Sequence, residues 1–126
     1  MISDNPHLIP RGEFSGYSQN PIRVIFGQSD LPKDSKVFDS TADTVHIKSR
    51  DLNELVAKLS ELDINQVFVE AGSTLASAMV SAGLMDELVI YQAPALLGSG
   101  RSFFADESKL LMEFLLKKHR MQIVLG

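Results

Sequence analysis

The run Val67-Phe68-Val69-Glu70-Ala71-Gly72-Ser73-Thr74-Leu75-Ala76 narrows the folds open to this chain more than any other stretch. Three apolar, β-prone residues lead to a single carboxylate. Glycine follows, and then the start of a helical pattern. The series predicts a buried strand, a glycine turn and a helix N-terminus in immediate succession. That step brings a charged side chain, free backbone N–H groups and a turn to one edge of a sheet, where α/β proteins usually meet their ligands.

The remaining pattern agrees with an α/β chain. Residues 1–21 are rich in Pro, Gly, Asn and Ser and read as a lead loop. Ile22 to Gly27 reads as a short strand stopped by glycine, Gln28 to Ser35 as turn, and Thr44 to Lys48 as a second strand. Asp51 to Leu62 is the clearest helix, with Leu52, Leu55, Val56, Leu59 and Leu62 on one stripe meant for a sheet face. Asp51 followed by Glu54 fits a capping box. Gln66 to Glu70 reads as a central parallel strand. Ser73 to Ala82 reads as a helix that buries Leu75, Ala76, Met79 and Val80, with Gly83 as its C-cap. Glu87 to Tyr91 is the next strand. At the tail, Leu110 to Leu116 and Met121 to Leu125 are expected to pair as an antiparallel hairpin, with a helix over 108–118 as the competing reading. The expected fold is therefore α/β, mostly parallel with an antiparallel edge.

Length and charge set the bounds on function. At 126 residues the chain suits one domain. Sixteen acidic residues against twelve Lys plus Arg leave no basic block, so no nucleic-acid footprint is expected. Apolar runs stop well short of a membrane span, and the first residues lack the features of a secretory signal. With no cysteine, thiolate chemistry and cysteine-ligated metals are excluded. The default expectation is a cytoplasmic protein without membrane contact.

Few residues offer chemistry. Glu70 at the strand end is placed to accept hydrogen bonds from the N–H groups of a heterocycle; the plainer alternative is a cap on the turn that follows. Gly72 to Ala78 opens a helix, where N–H groups and the dipole favour a phosphate. It is neither GxGxxG nor a Walker A loop, and Ser73 or Thr74 is equally suited to capping. Arg11 is a candidate phosphate fork, and Gly98-Ser99-Gly100-Arg101 a candidate for close approach to a cofactor or a plain surface turn. His7, His46 and His119 lack ligand spacing, so no metal site is expected. No serine sits in a nucleophile elbow. What is left is a site of backbone, hydroxyls and one carboxylate, suited to an enzyme whose cofactor carries the hard chemistry.

Three ordered blocks then resemble one family. Val69-Glu70-Ala71-Gly72-Ser73-Thr74-Leu75, Leu84-Met85-Asp86-Glu87-Leu88 and Ala93-Pro94-Ala95-Leu96-Leu97-Gly98 are similar to the reductase domain of the bifunctional riboflavin-biosynthesis deaminase/reductase. Asp4-Asn5-Pro6-His7-Leu8-Ile9-Pro10-Arg11 resembles the Asp-Asp-Pro-x-Leu-x-x-Arg loop of that family. The resemblance implies a dihydrofolate-reductase-like three-layer sandwich. It implies NADPH-dependent reduction of the ribosyl group of 5-amino-6-(5-phosphoribosylamino)uracil to the ribityl product. By the same resemblance Leu8, Arg11 and Glu70 bind the phosphoribosylamino-pyrimidine substrate, with Arg11 near the phosphate. Asp4 and Gly72, Ser73, Thr74, Leu75, Ala76, Ser77 and Ala78 lie along the cofactor. Such chemistry rests on two ligands held close and oriented, without a strong side-chain base.

The chain also departs from the family pattern. Gln28 stands where a Ser is frequent near the cofactor, and Ala95 where a Lys is common. The resemblance covers the later part of the family domain. It leaves out the deaminase domain and about sixty leading residues, judged against the usual size of a domain. A missing central strand would expose its neighbours' edges, so self-association or a partner fragment is expected. The alternative function is a non-catalytic remnant of the fold that binds nucleotide weakly or serves as a structural module.

Overall fold

The computed structural model describes residues 4–12, 19–92, 94–96, 98–100 and 120–125, the last stretch by its backbone. It divides into two units, Met1–Gln66 and Val67–Gly126.

In the first unit no strand or α-helix precedes Arg23 among the described residues. Strand β1 (Arg23–Phe26) and strand β2 (Thr44–Ile47) pair in parallel, with Arg23 opposite Thr44 and Phe26 opposite Ile47. A parallel pair needs a long crossover. Here it runs over residues 27–43 and contains a 3-10 turn at Lys36–Phe38 that buries Val37. Period-two alternation puts Arg23 and Ile25 on the buried side of β1, with Val24 and Phe26 half-buried.

Helix α1 (Leu52–Glu61) agrees with the expected span, since Asp51 and Leu62 are its caps. Leu55 is buried and Leu52, Leu59 and Leu62 are half-buried, whereas Val56 is exposed. The capping box requires a correction. The Asp51 carboxylate accepts from Asn53 N–H at 2.8 Å, but the Asp51 N–H donates to Ser49 Oγ at 3.0 Å. Ser49 has taken the donor that a capping box gives to Glu54. At the other end Asp63 adopts a left-handed φ of 57°. Its N–H reaches the Ser60 carbonyl and the Ile64 N–H reaches that of Leu59, which is a Schellman closure.

In the second unit helix α2 (Ser73–Ser81) closes in the same way. Gly83 at φ 69° donates to the Val80 carbonyl, and Leu84 donates to that of Met79. The expected glycine cap is observed. Ala76, Met79 and Val80 are buried as the pattern predicts, with Leu75 half-buried. Ala76 and Val80 join Leu88 in the core, and Met85 and Ile90 pack against them. Leu88 and Ile90 belong to β3 (Glu87–Gln92), so α2 covers one face of that strand. Strand β3 pairs in parallel with β4 (Arg120–Leu125), Glu87 opposite Arg120 and Gln92 opposite Leu125.

The described architecture is thus α/β, with two helices and parallel strand pairs. Two expectations change in detail. The tail is a strand, and the neighbour it has is β3, in parallel; the proposed hairpin partner at 110–116 lies outside the described residues. The expected strand at 66–70 is not formed, because residues 64–70 carry no regular structure. A strand needs a neighbour's ladder of N–H and C=O groups, and β1–β2 and β3–β4 each bond within their own pair. Val67 and Phe68 are accordingly exposed, at 47% and 78%.

Candidate functional site

The second unit contains the carboxylate and the glycine turn. Glu70 is exposed, two residues before Gly72. Gly72 is the N-cap of α2 in extended backbone, φ −70° and ψ 168°, and as a glycine it makes no side-chain cap bond. The first intrahelical bond runs from Ala76 N–H to the Gly72 carbonyl at 3.1 Å. The N–H groups of Ser73, Thr74 and Leu75 therefore precede the helical ladder and point out of the N-terminus. The positive end of the helix dipole lies there too. Among the described residues, apart from its chain neighbours and the helix backbone, nothing lies within 4 Å of where a Cβ on Gly72 would sit.

The expected cofactor set 72–78 divides within the helix. Residues 72–75 form the N-terminal rim, while the side chains of Ala76 and Ser77 are buried and Ala78 is exposed on a later turn. An anion at this end would meet backbone donors and the Ser73 and Thr74 hydroxyls. The donor set suits a phosphate-bearing cofactor, because it has several N–H groups, a glycine N-cap and no acidic residue in the first turn.

Asp4, Leu8 and Arg11 lie in the first unit, on the lead segment. Asp4 and Arg11 are exposed and Leu8 is half-buried. Asn5 and Leu8 have left-handed backbone, φ 39° and 51°, uncommon for residues other than glycine.

The polar centre of this unit is a group that sequence reasoning missed. Arg23 is 2% exposed. Its Nη1 donates to the His7 carbonyl at 3.3 Å, the Lys36 carbonyl at 3.1 Å and Asp39 Oδ1 at 3.0 Å. Its Nη2 donates to the Asp39 carbonyl at 2.7 Å and to that of Ala42. Nε has no acceptor among the described residues. Asp39 Oδ2 meets His7 Nε2, and Oδ1 also accepts from the Thr41 hydroxyl and, at 3.1 Å, the Thr41 N–H. The Thr41 hydroxyl above all, then His7, hold the Asp39 carboxyl far below the usual carboxylate range, against its partial burial. A signal was available, since Arg23 shares the two-residue period of Ile25 inside an apolar strand.

The other described histidine, His46, is hydrogen-bonded to the Gly27 carbonyl at 3.0 Å, and His119 lies outside the described residues. No group of three His, Asp or Glu side chains gathers among the described residues. No helix among them is long and apolar enough to cross a membrane.

Comparison with known proteins gives this geometry a family. Residues 1–122 match the RibD C-terminal domain. The riboflavin biosynthesis protein RibD of Escherichia coli K12 is 45% identical over 85 residues, covering 64% of this chain and 23% of that protein. RibD of Mycobacterium tuberculosis H37Rv is 35% identical over 99 residues, covering 78% of this chain and 29% of that protein. The 5-amino-6-(5-phosphoribosylamino)uracil reductase of Buchnera aphidicola from Acyrthosiphon pisum is 36% identical over 103 residues, covering 64% of this chain and 50% of that protein. The chain thus spans a quarter to a half of the length of these relatives. No solved structure matches it. With the family match running over nearly its whole length, the chain belongs to the RibD C-terminal domain family.

Proposed function

We propose that this chain is a riboflavin-biosynthesis reductase domain that binds NADPH and 5-amino-6-(5-phosphoribosylamino)uracil and reduces the ribosyl group to ribityl. The observation that carries the reading is the glycine N-cap of α2 at Gly72, just after Glu70, in a chain of this family. In this reading Gly72, Ser73, Thr74 and Leu75 hold a cofactor phosphate through their N–H groups and hydroxyls, and Ala76, Ser77 and Ala78 support that rim from the helix behind it. Asp4 binds the cofactor from the lead segment. Glu70 accepts N–H groups of the pyrimidine, Leu8 packs on the substrate and Arg11 takes its phosphate as a two-pronged donor.

When bound, NADPH supplies a hydride to C1 of the ribosyl group. The balance is one C1–H bond formed, the C1 to ring-oxygen bond broken, and one proton taken up on that oxygen. The protein's share is to hold the two ligands in line and to exclude water. We extend the reading to a dihydrofolate-reductase-like three-layer sandwich, a cytoplasmic setting, and self-association or a partner fragment.

Titration with NADPH followed by substrate, read by nicotinamide absorbance, tests the activity. Loss of absorbance upon substrate addition is expected, and none in Glu70→Ala. A second reading is favoured by the unpaired run 66–70 with its exposed Phe68. There the domain binds NADPH without turnover, and the titration gives binding with constant absorbance.

A further inference from the structure

Burying a guanidinium costs much unless it is paired and hydrogen-bonded. Arg23 meets that cost with acceptors from two separate stretches of chain, the lead segment at His7 and the crossover at residues 36–42. Asp39 bridges the same two stretches, with one carboxylate oxygen on Arg23 and the other on His7. Asn5 Oδ1 adds a third tie by accepting from Lys36 N–H at 2.9 Å. The lead segment is thus fastened at residues 5 and 7. Its left-handed residues, Asn5 and Leu8, stand at and beside those ties. A leucine persists in that backbone region where its surroundings over-determine it, and such places cluster at ligand sites.

We propose that Arg23, Asp39 and His7 form a positioning cluster. From β1 and the crossover it fixes the left-handed turn at 5–8 and thereby presents Leu8 and Arg11 to the phosphoribosyl substrate. The inference rests on the reading of Leu8 and Arg11 as substrate residues. The cluster itself touches no substrate in that reading and acts through Leu8.

Two measurements on the full chain separate this inference from the function it rests on. Backbone order parameters of the ligand-free protein should be near 0.85 at residues 5–8 and fall below about 0.6 in Asn5→Ala/His7→Ala and Asp39→Ala, with β1 and β2 unchanged. Calorimetric titration with 5-amino-6-(5-phosphoribosylamino)uracil should show a Kd about tenfold higher in Asn5→Ala/His7→Ala, with urea unfolding still a single cooperative transition. Asn5→Ala/His7→Ala leaves the Arg23–Asp39 pair intact, so it serves if Asp39→Ala fails to fold. Residues 5–8 staying rigid in Asn5→Ala/His7→Ala overturns the cluster as a tether. Loosened residues with an unchanged Kd overturn its role in presenting Leu8 and Arg11. A flat titration of the unsubstituted chain overturns the functional reading and that presentation with it, and the order parameters still decide the tether.

Discussion

Arg23 shows how one side chain can organise a segment far from it in sequence. It donates to the carbonyls of His7, Lys36, Asp39 and Ala42, and of these Lys36 also accepts from Asp39 N–H at 3.2 Å. Arg23→Met should therefore destabilise the first unit by about 3 kcal/mol, measured by urea unfolding, because buried acceptors lose their partner. Lys58→Ala, which breaks the exposed Lys58–Glu61 pair at 2.7 Å, should cost no more than about 0.5 kcal/mol in the same assay. Asp39 gives the cluster a pH signature. Its folded-state pKa is depressed, so its contribution is complete above the usual carboxylate range and is lost as pH falls through and below that range. Asp39→Asn should flatten the fall in stability below about pH 4 and leave the slope near neutrality unchanged. An acid limb as steep as that of the unsubstituted chain would remove Asp39 from the account. Leu8 and Glu70 were legible in the sequence as candidates because they fall in motifs. The Arg23 cluster was not, because its partners are mostly backbone carbonyls brought together by the fold.

At the scale of elements the local signals were strong where a segment satisfies its own backbone. Both helices begin and end within a residue of the positions their caps and stripes dictate. Gly83 was readable as a terminator, and Asp63 performs the same turn at greater cost because its Cβ is crowded in left-handed backbone. Asp63→Gly should raise stability by about 0.5–1 kcal/mol, while Gly83→Ala should lower it by about 1–2 kcal/mol, both read as shifts in thermal midpoint. An unchanged midpoint for both would contradict the Schellman closures. The strands were less legible. The apolar run 66–70 has the composition of a central strand, yet sheet structure depends on a neighbour that no local pattern encodes. The same dependence pairs the tail strand with β3, which no local pattern in the tail encodes. Leu88→Ala, at the contact of β3 with α2, should cost about 2–4 kcal/mol.

For the whole molecule, family membership and the glycine N-cap of α2 point the same way, and the exposed apolar residues add a condition. Phe68 and Tyr91 are each 78% exposed and Leu96 is fully so. Large apolar side chains left in water favour association with another surface. Sedimentation over a range of concentrations should show mass rising with concentration, and a monomer throughout would count against self-association. The central claim is that Gly72 to Leu75 cradle a phosphate-bearing nicotinamide cofactor beside Glu70. Its most direct test is an NADPH titration of the chain and of Gly72→Asp, which sets a carboxylate over the N–H donors. Saturable binding by the unsubstituted chain is expected, with a Kd at least about tenfold higher for the variant, equal to about 1.4 kcal/mol. Equal affinity in the two proteins, or no binding by the unsubstituted chain, would contradict it.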